Sequence, residues 1–391
     1  MGALAAIALL AQPLHLADAF ARAQSRNPGL AAARNAVRTA EAGVEIAGQL
    51  PNPTVAVSVG PDEPTVFGTF DIKLPVLGQR GTAIAAAERD VQAAQADAGA
   101  REVALRASVR KAYAALSAAQ ERARLAGDAL QLAEDLERRA IARVQTGLAP
   151  QLEAVQAGLA RRRAAQEKAD RAAALSSARE ELGRLLGESD SSALEAADPN
   201  FPLPPAPALD ELLARSARHP EVESFRRRQD AALARAQRER AAVRPIPDFS
   251  LEFEKLQGTD RPYIGVRAGL AFDLPVLSWN GGRVREAQSQ AQEAAAQAQD
   301  ASVRRMSEAR AARARWDAAS ARARSFALEI VPAAEQLVKM ARDAWELGRT
   351  PLTAVLQAQT DLTSARADAS DAALTAQTAL ADMEESAGVA L

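Results

Sequence analysis

Four short segments of the chain alternate between apolar and polar side chains, which is the period-two pattern of a β-strand with one apolar face. They form two pairs, in residues 54–74 and 249–273. The apolar positions of the four segments are, in order, Val55, Val57 and Val59; Val66, Phe70, Ile72 and Leu74; Phe249, Leu251 and Phe253; and Ile264, Val266, Ala268, Leu270 and Phe272.

Turn-forming residues separate the two segments of each pair, Pro61-Asp62 in the first and Gly258-Thr259-Asp260 in the second, so each pair predicts a β-hairpin. Each strand is close to the about 9–11 residues that a tilted strand needs to cross a bilayer. Charged residues on one face and large apolar residues on the other are typical of a membrane barrel with a wet lumen. The alternative is two hairpins that cover a soluble core, but the flanking helices offer no such core.

Long alanine-rich helices are predicted around the hairpins. Each half of the chain follows one plan: helix, hairpin, very long helix, sharp turn, helix. The predicted helices are Leu16–Gln49 with an interruption at Asn27-Pro28, Thr82–Thr146, Pro150–Leu186, Leu209–Val243, Gly282–Leu347 and Pro351–Ser386. The second of these holds about 65 residues and spans roughly 100 Å. Pro332 predicts a kink in the long helix of the second half.

The two halves are an internal duplication. Leu74-Pro75-Val76-Leu77 recurs 200 residues later, from Leu274, and the Gly147 and Pro150 pair recurs 201 residues later as Gly348 and Pro351. The proline-rich segment 198–207 cannot be helical and separates the halves. The predicted domains are therefore a first repeat over 13–197, this linker, and a second repeat over 208–391.

The first twelve residues are apolar with small side chains, like the hydrophobic region of a signal peptide. They lack the positive residues that normally precede such a region. Residues 1–12 are therefore either the remnant of a signal peptide or the start of an apolar first helix. No other stretch approaches the about 20 apolar residues of a membrane-spanning helix, so a membrane crossing would have to use strands.

Composition excludes several classes of function. A net charge of −2 provides no field that would attract nucleic acid. The sequence has no cysteine, which excludes thiolate metal sites, and its two histidines, His15 and His219, are far apart. Beside Pro220, His219 is expected to be a helix cap or a surface residue. Without a nucleophile–base pair, a phosphate loop or a dinucleotide motif, we predict no enzyme, no cofactor and no metal site.

Three junctions resemble the TolC family of outer-membrane efflux ducts. The sequence Leu74-Pro75-Val76-Leu77-Gly78-Gln79-Arg80-Gly81 is similar to the start of the family's first long helix, and closest to its heavy-metal (cobalt–zinc–cadmium) branch. The segment from Leu274 to Leu277, followed by Asn280-Gly281-Gly282-Arg283, resembles the same junction of the second repeat. Residues 330–333 and 345–351 resemble the family's second periplasmic tip. The resemblance covers essentially the whole chain.

The resemblance implies a mainly α protein with a small transmembrane β part. Three copies with four strands each would close a 12-stranded β-barrel in the outer membrane, above a periplasmic α-helical tube. Two or four copies would also give an even number of strands. The homotrimer would dock on a periplasmic adaptor (a membrane fusion protein) and an inner-membrane RND pump. The expected docking tips are Gly147, Leu148 and Pro150 in the first repeat and Gly348, Arg349 and Pro351 in the second.

The resemblance also suggests residues of the barrel and the pore. The expected lipid-facing residues are Val55, Val57, Phe70, Phe249, Leu251, Val266 and Phe272. In the family, acidic residues just past each tip narrow the closed pore, and Glu153 stands at that place in the first repeat. The matching positions of the second repeat hold the uncharged Ala354 and Gln357, which argues against a double acidic gate.

Two other functions remain open on the sequence. Within the export class, the cargo could be a drug or a secreted protein in place of heavy-metal cations. From another class, a soluble periplasmic coiled-coil adaptor or scaffold would also carry long helical hairpins. Such a protein would not need two amphipathic β-hairpins at equivalent places in a duplicated chain, and this favours the duct.

Overall fold

The structure is a computed structural model that describes residues 13–60, 66–197, 206–257 and 262–389. The apolar segment 1–12, the two predicted hairpin turns and most of the linker 198–207 lie outside the described residues. The chain forms two compact units. One contains residues 32–100 and 220–302 and carries all four described strands, and the other contains residues 13–31, 101–219 and 303–389 and is helical.

The strand-bearing unit contains one four-stranded antiparallel sheet. Its strands are β1 (Thr54–Val59), β2 (Val66–Lys73), β3 (Pro247–Gln257) and β4 (Pro262–Phe272), and they are hydrogen-bonded in that order. The four predicted strands are thus confirmed. The two hairpins, one from each half of the sequence, are joined because β2 pairs with β3.

Helices make up most of the rest of the chain. In chain order they are α1 (Leu16–Arg26), α2 (Pro28–Gly48), α3 (Gln79–Gln145), α4 (Gln151–Leu186), α5 (Leu209–Ser216), α6 (Pro220–Ala242), α7 (Gly281–Ser325), α8 (Val331–Glu346) and α9 (Leu352–Ala387). The ends of the predicted long helices are confirmed within a few residues. The prediction of one continuous helix over Leu209–Val243 is wrong, because the chain is interrupted before Pro220 and forms α5 and α6 instead. Of the described helices, none combines the length and the apolar character that a membrane span requires.

Local signals explain where α2 begins and where α4 ends. Asn27 accepts a hydrogen bond from the backbone N–H of Leu30 through its side-chain oxygen, at 3.0 Å, and so caps α2, while Pro28 begins that helix. At the far end of α4, Gly187 adopts the left-handed conformation, with φ of 71°. Its neighbour Glu188 donates a backbone hydrogen bond to Gly183 O, which satisfies one of the last free carbonyls.

The predicted disruption at Pro332 takes the form of a π-helical turn. Residues Phe326–Ile330 are π-helical, and Pro332 is the second residue of α8. A proline has no N–H to donate to the carbonyl four residues before it, here that of Leu328. The wider turn in front of the proline is a known way to absorb such a break without ending the helix.

Packing in the helical unit relies on three apolar clusters of modest size. Two of them surround Tyr113 with Leu116 and Trp316 with Leu380. The third surrounds Trp345. Alanine fills most of the remaining buried positions, which lets helix backbones approach closely.

The prediction that His219 is a cap or surface residue is wrong in its second part, because the side chain is buried. Its Nε2 lies 2.8 Å from the backbone carbonyl oxygen of Glu385 in α9. This contact gives the buried imidazole ring of His219, just before α6, a polar partner on α9. No local sequence signal predicts it.

Candidate functional site

The sheet has one apolar face, and the strand register defines it. Residues that are paired across an antiparallel ladder point to the same side. Val55, Phe70, Leu251 and Ala268 form one such row, and Val57, Gly68, Phe253 and Val266 form another. All seven residues predicted to face lipid lie on this side of the sheet, and the only charged residue among its aligned positions is Lys255, near one end.

The opposite face is polar and carries ion pairs. Arg267 of β4 lies 3.1 Å from Glu252 and 3.6 Å from Glu254, both on β3. A side chain at Gly265 would approach Glu254 to 2.7 Å, and one at Gly269 would approach Ser250 to 2.5 Å. The two glycines therefore let the polar side chains of β3 lie across β4.

The apolar face is largely uncovered in the single chain. Val57 is 68% exposed, and Val55, Ile264, Val266 and Leu270 are exposed as well. Contiguous apolar patches of this kind are rare on soluble monomers and mark contact with a membrane or a partner. The outer backbone edges of β1 and β4 are also unpaired within the sheet, so further strands could be added on both sides.

The two predicted tips have the same backbone geometry. Gly147 and Gly348 both take the left-handed conformation, with φ of 72° and 70°. At the first tip Leu148 N donates to Arg143 O at 2.9 Å, and at the second Arg349 N donates to Ala344 O at 2.8 Å. Each helix after the tip starts behind a proline. This agreement at residues 201 apart is a structural counterpart of the duplication.

The six predicted docking residues are all exposed at these turns. Adding a Cβ to either tip glycine would meet no other atom within 4 Å, so the space around the turns is open. Leu148 is a large apolar side chain at the first tip, whereas the matching position of the second tip holds Arg349. The tips therefore share a backbone but offer different side-chain chemistry.

The proposed pore residue Glu153 does not stand free in the single chain. Its side chain is 15% exposed and its Oε2 lies 3.9 Å from Nε of Arg143. Arg143 also donates to the backbone oxygen of Trp345 at 3.2 Å and stacks on that indole ring, 5.0 Å from its centroid. The carboxylate of the first tip is thus tied, through one arginine, to the helix that leads into the second tip.

The sequence did not predict Arg143 as a site residue, and it placed Trp345 in the second tip without predicting its contacts. Trp345 is buried together with Leu136, Ala140, Ala157, Leu352 and Val355, which come from α3, α4 and α9. A weak signal was available, since one of only three tryptophans of the chain stands three residues before a tip glycine.

A buried cluster of charges lies elsewhere in the helical unit. Glu384 of α9 is 4% exposed and lies 3.0 Å from Arg110 of α3. Burial lowers the pKa of Arg110, and the nearby Glu384 opposes that effect. The next residue, Lys111, contacts Asp382 at 2.7 Å and Glu385 at 2.9 Å. Burial alone would lower the pKa of Lys111, but the hydrogen bonds and charges of the two carboxylates raise it.

Side chains of the junction Gly78-Gln79-Arg80, at the start of α3, form hydrogen bonds to neighbouring segments of the strand-bearing unit. The side-chain nitrogen of Gln79 donates to the carbonyls of Arg244 and Pro245, at 3.1 and 3.3 Å. Arg80 donates to Gly48 O at 2.8 Å. Arg244 in turn donates to the carbonyl of Leu77 at 2.8 Å. No sequence signal indicated that Arg244 belongs to this junction.

Histidine and carboxylate side chains of the described residues are the groups that a metal ion would use as ligands. In the part of the chain that the structure describes, no group of three or more histidine and carboxylate side chains is arranged to hold a metal ion. The chemistry of the chain lies in its faces and turns: an apolar and a polar side of one sheet, and two exposed helical tips.

The chain is similar to several known proteins. The chain is 28% identical over 359 residues to the cobalt-zinc-cadmium resistance protein CzcC of Cupriavidus metallidurans, which covers 91% of this chain and 85% of that protein. Its fold is similar to that of the outer-membrane protein VceC of Vibrio cholerae, with a TM-score of 0.75, 19% identity and 96% of each chain covered. It is also similar to the CmeC outer-membrane channel of Campylobacter jejuni, with a TM-score of 0.76, 16% identity, and coverage of 95% of this chain and 85% of that one.

The sequence profile of the family described as "Outer membrane efflux protein" matches the chain twice. The matches cover residues 20–188 and 212–389, one in each half of the sequence and together most of its length. This chain therefore belongs to the outer membrane efflux protein family.

Proposed function

We propose that three copies of this chain form an exit duct across the outer membrane, through which cargo passes without chemical change. The observation that carries the proposal is the single sheet formed by both hairpins, with an apolar side and a polar side in continuous register. In a closed barrel the apolar side faces lipid and the polar side lines a wet lumen.

The free strand edges support assembly. Four strands are too few to close a barrel, and unpaired edges cannot remain in the hydrocarbon region. Three copies supply twelve strands, with β1 of one copy pairing with β4 of the next. The seven residues Val55, Val57, Phe70, Phe249, Leu251, Val266 and Phe272 then lie against lipid, and the helical repeats 13–197 and 208–391, joined by the linker 198–207, form the periplasmic tube.

The tips are the proposed contact with the rest of the export machinery. Gly147, Leu148 and Pro150 with Gly348, Arg349 and Pro351 are exposed and unobstructed, as a docking surface for a periplasmic adaptor requires. The adaptor would connect the duct to an inner-membrane RND pump. Glu153 lies just past the first tip, and three copies around a threefold axis would place three carboxylates near the channel.

Heavy-metal cations are the proposed cargo. The support is the similarity to a cobalt-zinc-cadmium resistance protein over 91% of the chain. With no metal-binding group among the described residues, the selection of the metal would rest with the pump, and the duct would supply a polar passage.

The test is deletion of the gene, followed by complementation, in the native host. The deletion strain should lose tolerance to cobalt, zinc or cadmium, and the intact chain should restore it. Restoration of drug tolerance or of protein secretion alone would contradict metal cargo but keep the duct. A protein found in the soluble periplasmic fraction would contradict the duct and favour an adaptor.

A further inference from the structure

Two loops expose large apolar side chains at the end of the sheet from which β2 leads to α3 and β4 leads to α7, which we call the helical end. The first follows β2 and contains Val76 and Leu77, and the second follows β4 and contains Val276, Leu277 and Trp279. Leu277 is 96% exposed and Trp279 is 69% exposed, and the other three are exposed as well. So much apolar surface is unusual on loops, and it requires a partner that removes it from water.

The first loop is held in place by specific bonds. The Arg244 side chain fixes the carbonyl of Leu77, and Gly78 has a φ of 95°, a conformation that favours glycine. A Cβ at Gly78 would come within 2.6 Å of the Arg244 guanidinium, so the absence of a side chain makes this bond possible. The apolar residues therefore project from a fastened loop.

Both loops leave the same end of the same sheet. Lys73, the last residue of β2, pairs with Asp248, and Phe272, the last residue of β4, pairs with Pro247. The loops thus continue directly from the border of the apolar face. An ion pair between Lys73 and Asp273, at 3.6 Å, marks this border.

Cationic side chains surround the loops. Arg80 and Arg283 follow them in sequence and are exposed, and Arg244 is exposed beside Leu77. Carboxylates near the loops include Asp273 and Glu239. Glu239 is largely buried and lies 2.8 Å from Arg238 and 3.8 Å from Arg283, whose side chain is still 73% exposed. A tryptophan, aliphatic residues and arginines at the edge of an apolar surface are the side chains that favour the headgroup region of a membrane.

We propose that the loops 74–77 and 274–279 insert into the phospholipid leaflet at the helical end of the barrel and anchor the duct there. This inference rests on the proposed function, because it requires the sheet to lie in a membrane. The occupant is phospholipid: Val76, Val276 and Leu277 enter the boundary of the acyl chains, Trp279 lies at the level of the glycerol groups, and the arginines contact phosphates. Continuity with the apolar face favours lipid over a second copy of the chain.

Trp279 provides its own probe, because the other two tryptophans, Trp316 and Trp345, are buried in the helical unit. The assembled protein is placed in vesicles whose phospholipids carry bromine either near the glycerol or deep in the acyl chain, since bromine quenches an indole that it contacts. The emission of Trp279 is obtained as the difference between the parent protein and Trp279→Phe.

We expect lipid brominated near the glycerol to remove most of the Trp279 emission, deep bromine to remove less, and aqueous acrylamide to have little effect. Leu277→Asn should weaken the quenching by lipid, whereas Leu328→Asn, a change at an exposed leucine of the helical unit, should not. Quenching by acrylamide alone would show that the loop is in water, and quenching by neither agent would show that another copy covers it. Either result overturns the inference.

Flotation of the vesicles separates this inference from the proposed function. Protein that does not float with the lipid would overturn the duct, and the anchor with it. Protein that floats as an assembled oligomer, but whose Trp279 escapes the brominated lipid, would overturn only the anchor.

Discussion

Replacing Val57 with arginine tests the two-faced sheet with a control one residue away. Val57 and Ala56 are neighbours on the edge strand β1, and both are exposed in the single chain. Val57 is paired with Gly68 on the apolar face, whereas Ala56 is paired with Thr69 on the polar face. If the apolar face contacts lipid, only Val57→Arg places a charge in hydrocarbon.

The depth of Val57 sets the expected cost. Its row runs through Gly68 to Phe253, the seventh residue of the 11-residue β3. At about 3.4 Å per residue and a tilt of about 45°, such a strand rises about 26 Å, which matches the about 25 Å apolar band of membrane barrels. The row therefore lies near the midplane, where an arginine costs about 2–4 kcal/mol. This cost reduces the ratio of folded to unfolded chain about 30- to 700-fold.

Unfolding of the assembled protein by guanidinium in phospholipid vesicles measures this difference. Val57→Arg should lower the midpoint and the yield in the outer membrane, while Ala56→Arg should stay near the parent protein. Equal midpoints and equal yields for the two variants would refute the assignment of the faces.

Three further predictions concern the helical unit. Gly147→Trp or Gly348→Trp should leave a folded, membrane-inserted trimer, since strain at a left-handed residue costs only roughly 1–2 kcal/mol, but cross-linking to the adaptor and export should be lost. Glu153→Ala should raise single-channel conductance or reduce cation preference modestly, because one acidic ring is removed. Lys111→Met should reduce the loss of folding stability that the parent protein shows above about pH 10.4. The pKa of Lys111 is raised in the folded protein, so its contribution to folding stability is complete below that pH. The contribution is lost as the pH rises through the pKa of the folded state.

Asparagine at either tip glycine, which tolerates the left-handed conformation, should keep export, and a tryptophan variant that still exports would remove the tips from docking. For Glu153, unchanged conductance, selectivity and block by multivalent cations would leave it only the partner of Arg143. An alkaline unfolding profile that is the same with and without Lys111 would contradict the pKa argument.

The sequence predicts the strands and helices well because their signals are local. Period two is visible over a few residues, and Gly147 with Pro150 marks a helix end and the next helix start without reference to the rest of the chain. The duplication strengthens both signals, since Gly348 and Pro351 repeat them in the second half.

The contacts between distant segments could not be predicted. The pairing of β2 with β3 joins the two halves of the sequence, and neither strand carries a signal that names its partner. The same holds for Arg143, one of many helical arginines, which acquires its role only because Trp345 packs beside it. The surface position predicted for His219 is wrong for the same reason. A histidine before a proline gives no local indication that its ring will be buried against a backbone carbonyl of another helix.

The proposed duct requires that the four strands of each chain form one third of a closed barrel in a membrane. Electron cryomicroscopy of the protein in lipid nanodiscs tests it most directly. We expect a threefold-symmetric particle in which twelve strands cross the lipid belt around an open lumen. A monomer or dimer, or a sheet that lies outside the lipid belt, would contradict it.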